Sequence, residues 1–375
     1  MKIPRIYQNL DTYLKPGKAL IIYGPRQVGK TTLVKDFINT SNYKYRYDSG
    51  ENILVKEVLS SANFNLLADY VRGYELIVID EAQKVPCIGS ALKILVDTFP
   101  DLKIIATGSS SFELAGQVGE PLTGRKNTIS LFPISQIELS NYQNPFELNG
   151  NLEDYLIYGS YPEVIATPDK AGKVEILNEL TGSYLLKDVF EFERIRNSQT
   201  VFNLLRLLAF QLGNEVSFTE LSKHLGIDNK TVARYIDLLE KAFVIIGLGG
   251  YSRNLRNEIV KKKKYYFYDV GLRNALIANF NSLSMRNDIG QIWENFLLVE
   301  RFKKQAYRKI YCNNYFWRTW DQKEIDFIEE KEGKLFAFEF KWGRLNVKAP
   351  AMFMNTYPEA IFEVVSRENY IDFVL

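Results

Sequence analysis

The sequence has few of the residues that build disulfide scaffolds and zinc sites. Its 375 residues include two cysteines, Cys87 and Cys312, and one histidine. Small disulfide-stapled domains need several cysteine pairs, and structural zinc sites usually need a full set of Cys and His ligands. So few cysteines and histidines exclude both kinds of scaffold.

Long apolar runs and an excess of one charge are missing as well. No run approaches the ~20 apolar residues that span a bilayer, and residues 1–18 lack the apolar core of a secretory signal. We therefore expect a soluble, cytoplasmic protein without a membrane partner. Lys and Arg number 47 and Asp and Glu 45, a net charge of +2. The whole chain is thus not an electrostatic binder of nucleic acid, although a local basic patch fits this balance.

The composition is that of a globular protein with more than one domain. With 46% hydrophobic and 25% charged residues, a disordered, collagen-like or fibrous protein is excluded. A domain usually takes about 100–200 residues, so the length predicts two or three domains, each with its own core.

A phosphate-binding motif follows the first apolar run. Residues 19–24 are typical of a buried parallel strand, and a helix-like segment comes after the motif. The pattern G-x-x-x-x-G-K-[ST] lies between them, and the residues predicted to bind nucleotide are Gly24, Pro25, Arg26, Gln27, Val28, Gly29, Lys30, Thr31 and Thr32. The glycines let backbone N–H groups turn toward phosphate oxygens at a helix N-terminus. Lys30 would reach the β- and γ-phosphates, and the Thr31 hydroxyl would hold Mg²⁺.

Two carboxylates, Asp80 and Glu81, follow the apolar residues 76–79. In a P-loop protein, Asp80 would hold Mg²⁺, usually through water, and Glu81 would polarise the attacking water. Adjacent side chains at a strand end point in different directions, so both roles can be filled at once. Taken alone, the pattern also fits a strand that ends in a solvated turn.

A third apolar run, residues 102–106, ends in hydroxyl residues that include Thr107, Ser109 and Ser110. These hydroxyls can hydrogen-bond the attacking water or the γ-phosphate, or they can mark an ordinary turn after a strand. Arg125 lies in a loop beyond this run. It is placed either to act as an arginine finger toward a neighbouring subunit or to have a structural role.

Six segments occur in order along the chain: GPRQVGKTT, LIVIDEAQKV, IIATGSSSFEL, LTGRK, FPISQIEL and GSYPEV. Together they resemble the prokaryotic AAA-type ATPases that pair an N-terminal AAA module with a C-terminal domain of unknown function. The resemblance runs through nearly the whole chain. It implies an α/β P-loop core of the ASCE type, ATP and Mg²⁺ as cofactors, and a catalytic Glu81 beside the magnesium ligand Asp80. It also implies Ser109 or Ser110 as the polar sensor and Arg125 as the finger.

The resemblance further implies a small helical lid over the nucleotide, since residues 149–200 read as helical. Tyr155 and Tyr158 in this segment are predicted core residues. Arg194 and Arg196 are the candidates for a lid arginine. AAA modules often form rings, so a homo-oligomer is a further expectation.

A helix-turn-helix is predicted after the lid. Ser217 with Glu220 predicts a capping-box helix start, Gly226 fits the end of that helix, and a second helix begins near Lys230. Strand-like segments after it fit a wing. Ten Lys or Arg against five Asp or Glu fall within residues 217–264.

This basic segment has two interpretations. It either contacts the DNA backbone, through Lys230 and Arg234 on the second helix and the dense run Lys261 to Lys264, or it packs internally with a solvated basic edge.

The C-terminal third carries a second set of carboxylates. Glu294 lies on an amphipathic helix, Asp326 on a strand, and Glu339 and Lys341 share one face of a later strand. This set resembles the PD-(D/E)XK restriction-endonuclease-like fold. The resemblance implies that Glu294, Asp326 and Glu339 carry Mg²⁺ and that Lys341 orients or deprotonates water. Glu324 is an alternative to Asp326, and a surface hairpin with alternating charged and apolar residues has the same pattern.

We therefore expect four segments: an ATP-binding module at 1–148, a helical lid at 149–200, a winged helix-turn-helix at 201–270 and a nuclease-like domain at 271–375. The expected function is hydrolysis of MgATP that drives or switches the C-terminal part. The alternatives are an ATP-regulated, metal-dependent DNA nuclease and a nucleotide-switched regulator that binds DNA or protein with little turnover.

Overall fold

The computed structural model describes residues 3–109, 122–184, 198–252, 263–319, 321–343 and 347–375. Its N-terminal sheet is parallel, with the strand order β2-β3-β4-β1-β5. The bounds are β1 Ala19–Tyr23, β2 Tyr45–Ser49, β3 Leu76–Asp80, β4 Lys103–Gly108 and β5 Lys126–Ser130. The α/β parallel core predicted from the sequence is thus confirmed.

Both faces of this sheet are buried. Leu20 and Ile22 of β1 pack into one hydrophobic cluster, and Ile21 and Tyr23 pack into another on the opposite face. This two-sided burial explains why the strands read as continuous apolar runs in the sequence. The helices of this region are α1 Lys30–Thr40, α2 Ile53–Ser60, α3 Phe64–Val71 and α4 Ile88–Thr98.

A series of short helices follows the first sheet. Their bounds are α5 Gln136–Leu139, α6 Pro145–Gly150, α7 Leu152–Tyr158, α8 Pro162–Ala166 and α9 Lys170–Glu179. Two of them start with capping boxes, formed by Ser135 with Glu138 and by Asn144 with Glu147. Tyr155 and Tyr158 are buried, as predicted.

Three helices and a hairpin come next, with bounds α10 Ser198–Phe210, α11 Phe218–Leu225, α12 Asn229–Lys241, β6 Ile245–Gly250 and β7 Lys264–Phe267. The predicted ends of α11 are confirmed. The Ser217 side chain accepts from the backbone N–H of Glu220, and Gly226 has the left-handed conformation of a helix C-cap. The predicted capping box is only half formed, because the Glu220 carboxylate accepts from the Gln211 side chain and not from the Ser217 N–H.

The C-terminal sheet has the strand order β11-β10-β9-β8-β6-β7. Its further elements are α13 Val270–Leu276, α14 Ile289–Arg308, β8 Asn313–Arg318, β9 Glu324–Lys331, β10 Lys334–Phe340, α15 Ala351–Thr356, β11 Ile361–Val365 and α16 Tyr370–Val374. The hairpin β6–β7 is part of this sheet, because Gly249 and Gly250 pair with Tyr315 and Phe316 of β8. The strands expected to form a wing are therefore docked on the C-terminal domain.

The long helix α14 connects the two sheets. Its Glu300 carboxylate accepts from the backbone N–H of Gln136 at 2.7 Å, and its Tyr307 hydroxyl accepts from the N–H of Phe132 at 3.2 Å. The largest hydrophobic cluster accordingly includes residues from β1, α1, α7, α10 and α14. Among the described residues, no helix is both long and apolar enough to cross a membrane.

Candidate functional site

The loop between β1 and α1 has the backbone shape of an anion site. Gly24 has a φ of 151°, and a Cβ there would lie 1.9 Å from the carbonyl oxygen of Leu131, so a larger residue does not fit. Gln27 and Gly29 have φ values of 59° and 92°. Gly29 is the N-cap of α1 and supplies no side-chain cap. The first N–H groups of α1 can therefore face an anion, which the helix dipole favours.

Lys30 is held against the start of this loop. Its side chain is 6% exposed, and its Nζ donates to the carbonyl oxygens of Gly24 and Pro25 at 2.7 Å each. The ammonium is thus positioned beside the loop backbone, where the motif predicts phosphate contact.

The Asp80 carboxylate, at the carboxyl end of β3, accepts hydrogen bonds from three hydroxyl groups. Its Oδ2 accepts from Thr31 Oγ1 at 2.8 Å and from the Tyr47 hydroxyl at 2.7 Å, and its Oδ1 accepts from Thr107 Oγ1. Burial, then the hydrogen bond to Asp80, raise the pKa of Tyr47, which keeps the phenol protonated and donating. The structure thus brings the predicted pair Thr31 and Asp80 together beside the loop.

Sequence reasoning missed Tyr47 and did not single out Thr107 from its neighbours. Tyr47 lies on β2, which pairs with β3. Only the sheet order places it next to Asp80, and no local motif marks it. Thr107 does carry a signal, because it lies one residue before the end of β4, the strand that pairs with β3 on the other side.

Glu81 directly follows Asp80, the last residue of β3. It has a left-handed backbone with a φ of 51°, a conformation that costs of order 1 kcal/mol and that concentrates at functional sites. Its Oε2 accepts from the Gln83 amide, and its N–H donates to Asp80 Oδ1 at 3.2 Å. The Gln83 amide therefore fixes the direction of the Glu81 carboxylate.

The other predicted catalytic residues have different outcomes. Ser109 is buried at the end of β4, and Ser110 lies outside the described residues, as do Arg194 and Arg196. Arg125 is paired within its own chain, since its Nε donates to Asp97 Oδ1 at 2.5 Å. A finger role for Arg125 stays a prediction, and it requires this pair to open.

A cavity of about 670 Å³ adjoins the loop. Its wall is mainly apolar and comes from the N-terminal segment, α1 and the turns around α5 and α8. The lining residues include Ile3, Pro4, Gln8, Val28, Thr32, Asp36, Ile134 and Pro162. Sequence reasoning missed this cavity because its walls come from segments more than a hundred residues apart.

One buried arginine joins the loop to distant parts of the chain. Arg5 Nη1 donates to the carbonyl oxygen of Val28 at 2.5 Å, and Nη2 donates to that of Phe132 at 2.6 Å. Its Nε binds Glu138 at 2.8 Å, and Nη2 reaches the Tyr307 hydroxyl at 3.4 Å. The phosphate-binding loop is thereby linked to helix α14.

The basic residues predicted to contact DNA differ in their exposure. Lys230 and Arg234 are exposed on α12, where a partner can reach them. Lys264 is 1% exposed, so the prediction that it contacts DNA is wrong. Lys263 is half-exposed and lies 3.8 Å from Glu240, whereas Lys261 and Lys262 lie outside the described residues.

The predicted C-terminal residues do come together. Lys341 Nζ pairs with Glu339 Oε1 at 2.6 Å, and Asp326 Oδ2 accepts from the backbone N–H of Phe340 at 2.8 Å. Burial, together with the charges of Glu294 and Glu339, raises the pKa of Asp326 well above its usual value. Burial likewise raises the pKa of Glu294.

A lysine that sequence reasoning did not place there belongs to the same cluster. Lys264 Nζ binds Glu294 Oε1 at 3.2 Å and also Glu324 Oε1. Burial lowers the pKa of Lys264, but Glu294, Glu324 and Asp326 raise it by more, so the ammonium stays charged. In the part of the chain that the structure describes, no group of three His, Cys, Asp or Glu side chains is arranged to hold a metal ion.

The parallel sheet, the loop and the Asp80 cluster define a P-loop nucleotide-binding module. Family comparison agrees: residues 16–140 match the model described as AAA domain, and residues 289–366 match a domain of unknown function, DUF4143. A further domain of unknown function, DUF8612, matches residues 149–283. These matches support an AAA-type P-loop ATPase with a C-terminal domain of unknown function.

Relatives cover most of the chain. Uncharacterized protein Rv2008c of Mycobacterium tuberculosis is 27% identical over 326 residues, which is 86% of this chain and 70% of that protein. Uncharacterized protein MJ1544 of Methanocaldococcus jannaschii is 26% identical over 349 residues, 88% of this chain and 76% of that protein.

Solved structures are more distant. The Aeropyrum pernix ORC1 protein in complex with DNA has a TM-score of 0.29 and 12% identity, over 70% of this chain and 86% of that one. The flagellar accessory protein FlaH from Methanocaldococcus jannaschii has a TM-score of 0.22 and 15% identity, over 34% of this chain and 78% of that one.

Proposed function

We propose that the chain is an ATPase that binds MgATP at the loop 24–31 and hydrolyses it. The observation that carries the proposal is the convergence of Thr31, Tyr47 and Thr107 on Asp80, next to the uncapped N-terminus of α1. A carboxylate and a hydroxyl in contact beside an anion site are the ligands that a nucleotide-bound Mg²⁺ requires.

Each residue then has a distinct task. The N–H groups at the start of α1 and the Lys30 ammonium bind phosphate oxygens, while Thr31 and Asp80 would hold Mg²⁺. When bound, the metal neutralises charge on the phosphates. Glu81 is oriented by Gln83 and accepts a proton from the attacking water.

The base and ribose fit the cavity beside the loop. Its volume of about 670 Å³ is within the range of small-molecule sites, and its wall is mainly apolar. A flat aromatic base gains stability in such surroundings, whereas the phosphates need the polar loop. The adjacency of the two environments supports a nucleoside triphosphate over a simple phosphate.

Hydrolysis would switch the contact between the loop and the C-terminal region. Arg5 binds the Val28 carbonyl within the loop and the Tyr307 hydroxyl on α14. Movement of the loop between nucleotide states therefore acts on a side chain that α14 also contacts. The proposed switch is this shared arginine.

Glu81→Gln tests the catalytic part of the proposal. We expect phosphate release to fall by about a hundredfold or more, because a general base typically contributes 10²–10⁴ in rate. Calorimetry should show ATP affinity unchanged. The matched control is Glu51→Gln, the same change at an exposed carboxylate. Equal activity of wild type and Glu81→Gln would rule out this assignment.

DNA is the second candidate ligand, supported by the exposure of Lys230 and Arg234 on α12. Binding through these residues would weaken as salt rises, because phosphate contacts release counterions. Loss of salt-dependent duplex binding in Lys230→Gln and Arg234→Gln would support the contact. Unchanged binding in both variants would argue against it.

A further inference from the structure

Lys264 pairs with two carboxylates of the C-terminal cluster, which comprises Glu294, Glu324, Asp326 and Glu339. It lies on β7, is 1% exposed, and binds Glu294 of α14 and Glu324 of β9. Its ammonium also lies 5.2 Å from the centroid of the Phe316 ring. A fully buried lysine is unusual unless carboxylates surround it, and here they come from two separate elements.

Three of the carboxylate oxygens that would bind a metal already have donors in the protein, whereas Glu339 Oε2 is buried without a hydrogen-bond partner. Glu294 Oε1 accepts from Lys264 and from the Tyr266 hydroxyl at 2.5 Å. Asp326 Oδ2 accepts from the N–H of Phe340, and Glu339 Oε1 is paired with Lys341. A divalent cation would have to displace these donors.

We infer that Lys264 takes the place of the divalent cation that a nuclease-like fold implies at this cluster. The residues present do not fit a metal, because two ammonium groups already pair with these carboxylates, Lys264 with Glu294 and Lys341 with Glu339. A divalent cation there would be repelled at short range by Lys264. We therefore expect this cluster to be a structural contact of the C-terminal domain and not the site of a metal-dependent nuclease.

These contacts hold the hairpin β6–β7 against helix α14. Lys264 and Tyr266 are two residues apart on β7, so both project to one face of the strand and both donate to Glu294. The strand paired with β7 is β6, and it follows directly on α12. The ammonium thus fixes the orientation of α12 relative to the C-terminal sheet. This inference does not depend on the ATPase proposal.

Counting bound Mn²⁺ by electron paramagnetic resonance, without nucleotide, tests the inference. We expect Asp326→Asn and Glu339→Gln to bind as many Mn²⁺ ions as wild type, because wild type has no Mn²⁺ site at this cluster. A wild-type Mn²⁺ site that these changes abolish, and that Asp80→Asn leaves intact, would overturn it. This result is decided on the wild-type chain and does not depend on whether Lys264 variants fold.

Lys264→Met tests whether removing the ammonium creates a metal site at the cluster. The change removes the ammonium and keeps an apolar stem, so the freed carboxylates should gain a Mn²⁺ site at least tenfold tighter than any in wild type. Adding Asp326→Asn should abolish the gained site. Lys263→Met is the matched control on the same strand end and should gain none, because Lys263 is half-exposed and outside the cluster. A folded Lys264→Met chain without such a site would contradict the inference.

Discussion

Among single residues, Asp80 and its hydrogen-bond donors are the ones on which the proposed ATP site depends. This carboxylate is 6% exposed and accepts hydrogen bonds from Thr31, Tyr47 and Thr107. Fixed donors keep its two oxygens in defined directions. Such orientation by neighbouring hydrogen bonds is how proteins tune a metal ligand.

Tyr47→Phe should weaken this orientation without removing a ligand. One hydrogen bond to a charged group is worth about 1.5–3 kcal/mol, so we expect at least a fivefold loss in kcat/KM for ATP. The loss should shrink at high Mg²⁺, which phosphate-release assays across Mg²⁺ concentrations would show.

The control for Tyr47→Phe is Tyr70→Phe. Tyr70 also donates to a carboxylate, that of Asp48 at 2.8 Å, on the same edge of the sheet. It does not touch Asp80. If both variants lose activity equally, the effect is structural and the assignment of Tyr47 fails.

The residues proposed to bind ATP could be predicted from the sequence where they belong to a short motif. The loop 24–31 and Asp80 are read from short patterns whose spacing fixes their geometry. Tyr47 was not predictable, because only the pairing of β2 with β3 brings it to Asp80. Lys264 was assigned to a basic surface for the same reason: its burial depends on a hairpin that docks far along the chain.

At the scale of elements, α13 and α14 are joined by an ion cluster. Asp288, the N-cap of α14, binds Arg273 at 2.5 Å and Arg286 at 2.8 Å, and both arginines are nearly fully buried. Burial alone would raise the pKa of Asp288, but the hydrogen bonds from Arg286 and Arg273 lower it to about 2.

Asp288→Asn should therefore destabilise the fold. Two buried arginines would lose their carboxylate, and we expect a loss of about 2–3 kcal/mol in the free energy of unfolding, below the range for fully buried pairs because Asp288 is partly exposed. Urea unfolding measures it. Asp237→Asn, which breaks an exposed pair with Lys241, should cost less than about 0.5 kcal/mol.

The pH dependence of that difference has a defined sign. A carboxylate with a lowered folded pKa stabilises the protein above its unfolded pKa, about 4, and that stability is lost as pH falls toward the folded value. Wild type should thus exceed Asp288→Asn from neutral pH down to about 4, and the gap should close toward pH 2. A gap that widens on acidification would contradict the assignment.

Helix ends and buried strands could be predicted from sequence because caps and apolar runs are local signals. Ser217 and Gly226 bound α11 as expected. The docking of β6 on β8 could not be predicted, since Gly249 and Gly250 make the strand pairing, with a further hydrogen bond from the Tyr251 N–H to the Phe316 carbonyl, and glycines carry no sequence pattern for it. The expected domain boundary near residue 270 consequently passes through a continuous sheet.

In the molecule as a whole, the Arg5 side chain links the loop 24–31 to helix α14. Arg5→Met would leave the fully buried Glu138 without its cation, so we expect about 3–5 kcal/mol of destabilisation together with weaker ATP binding. Chemical unfolding and calorimetry measure the two effects.

Tyr307→Phe separates coupling from stability. It keeps the Arg5–Glu138 pair but removes the hydroxyl that Arg5 and Phe132 share. Stability should fall by about 1–2 kcal/mol, and the rise in Tm on adding ATP should shrink. If ATP raises the Tm of Tyr307→Phe as much as that of wild type, the Tyr307 hydroxyl does not couple α14 to the loop 24–31.

The most direct test of the central claim is calorimetry of ATP with Mg²⁺ on the full chain. We expect one ATP to bind per chain, with an affinity that falls sharply in Lys30→Ala and in Asp80→Asn. Absence of binding by ATP and by GTP in folded wild-type protein would contradict it.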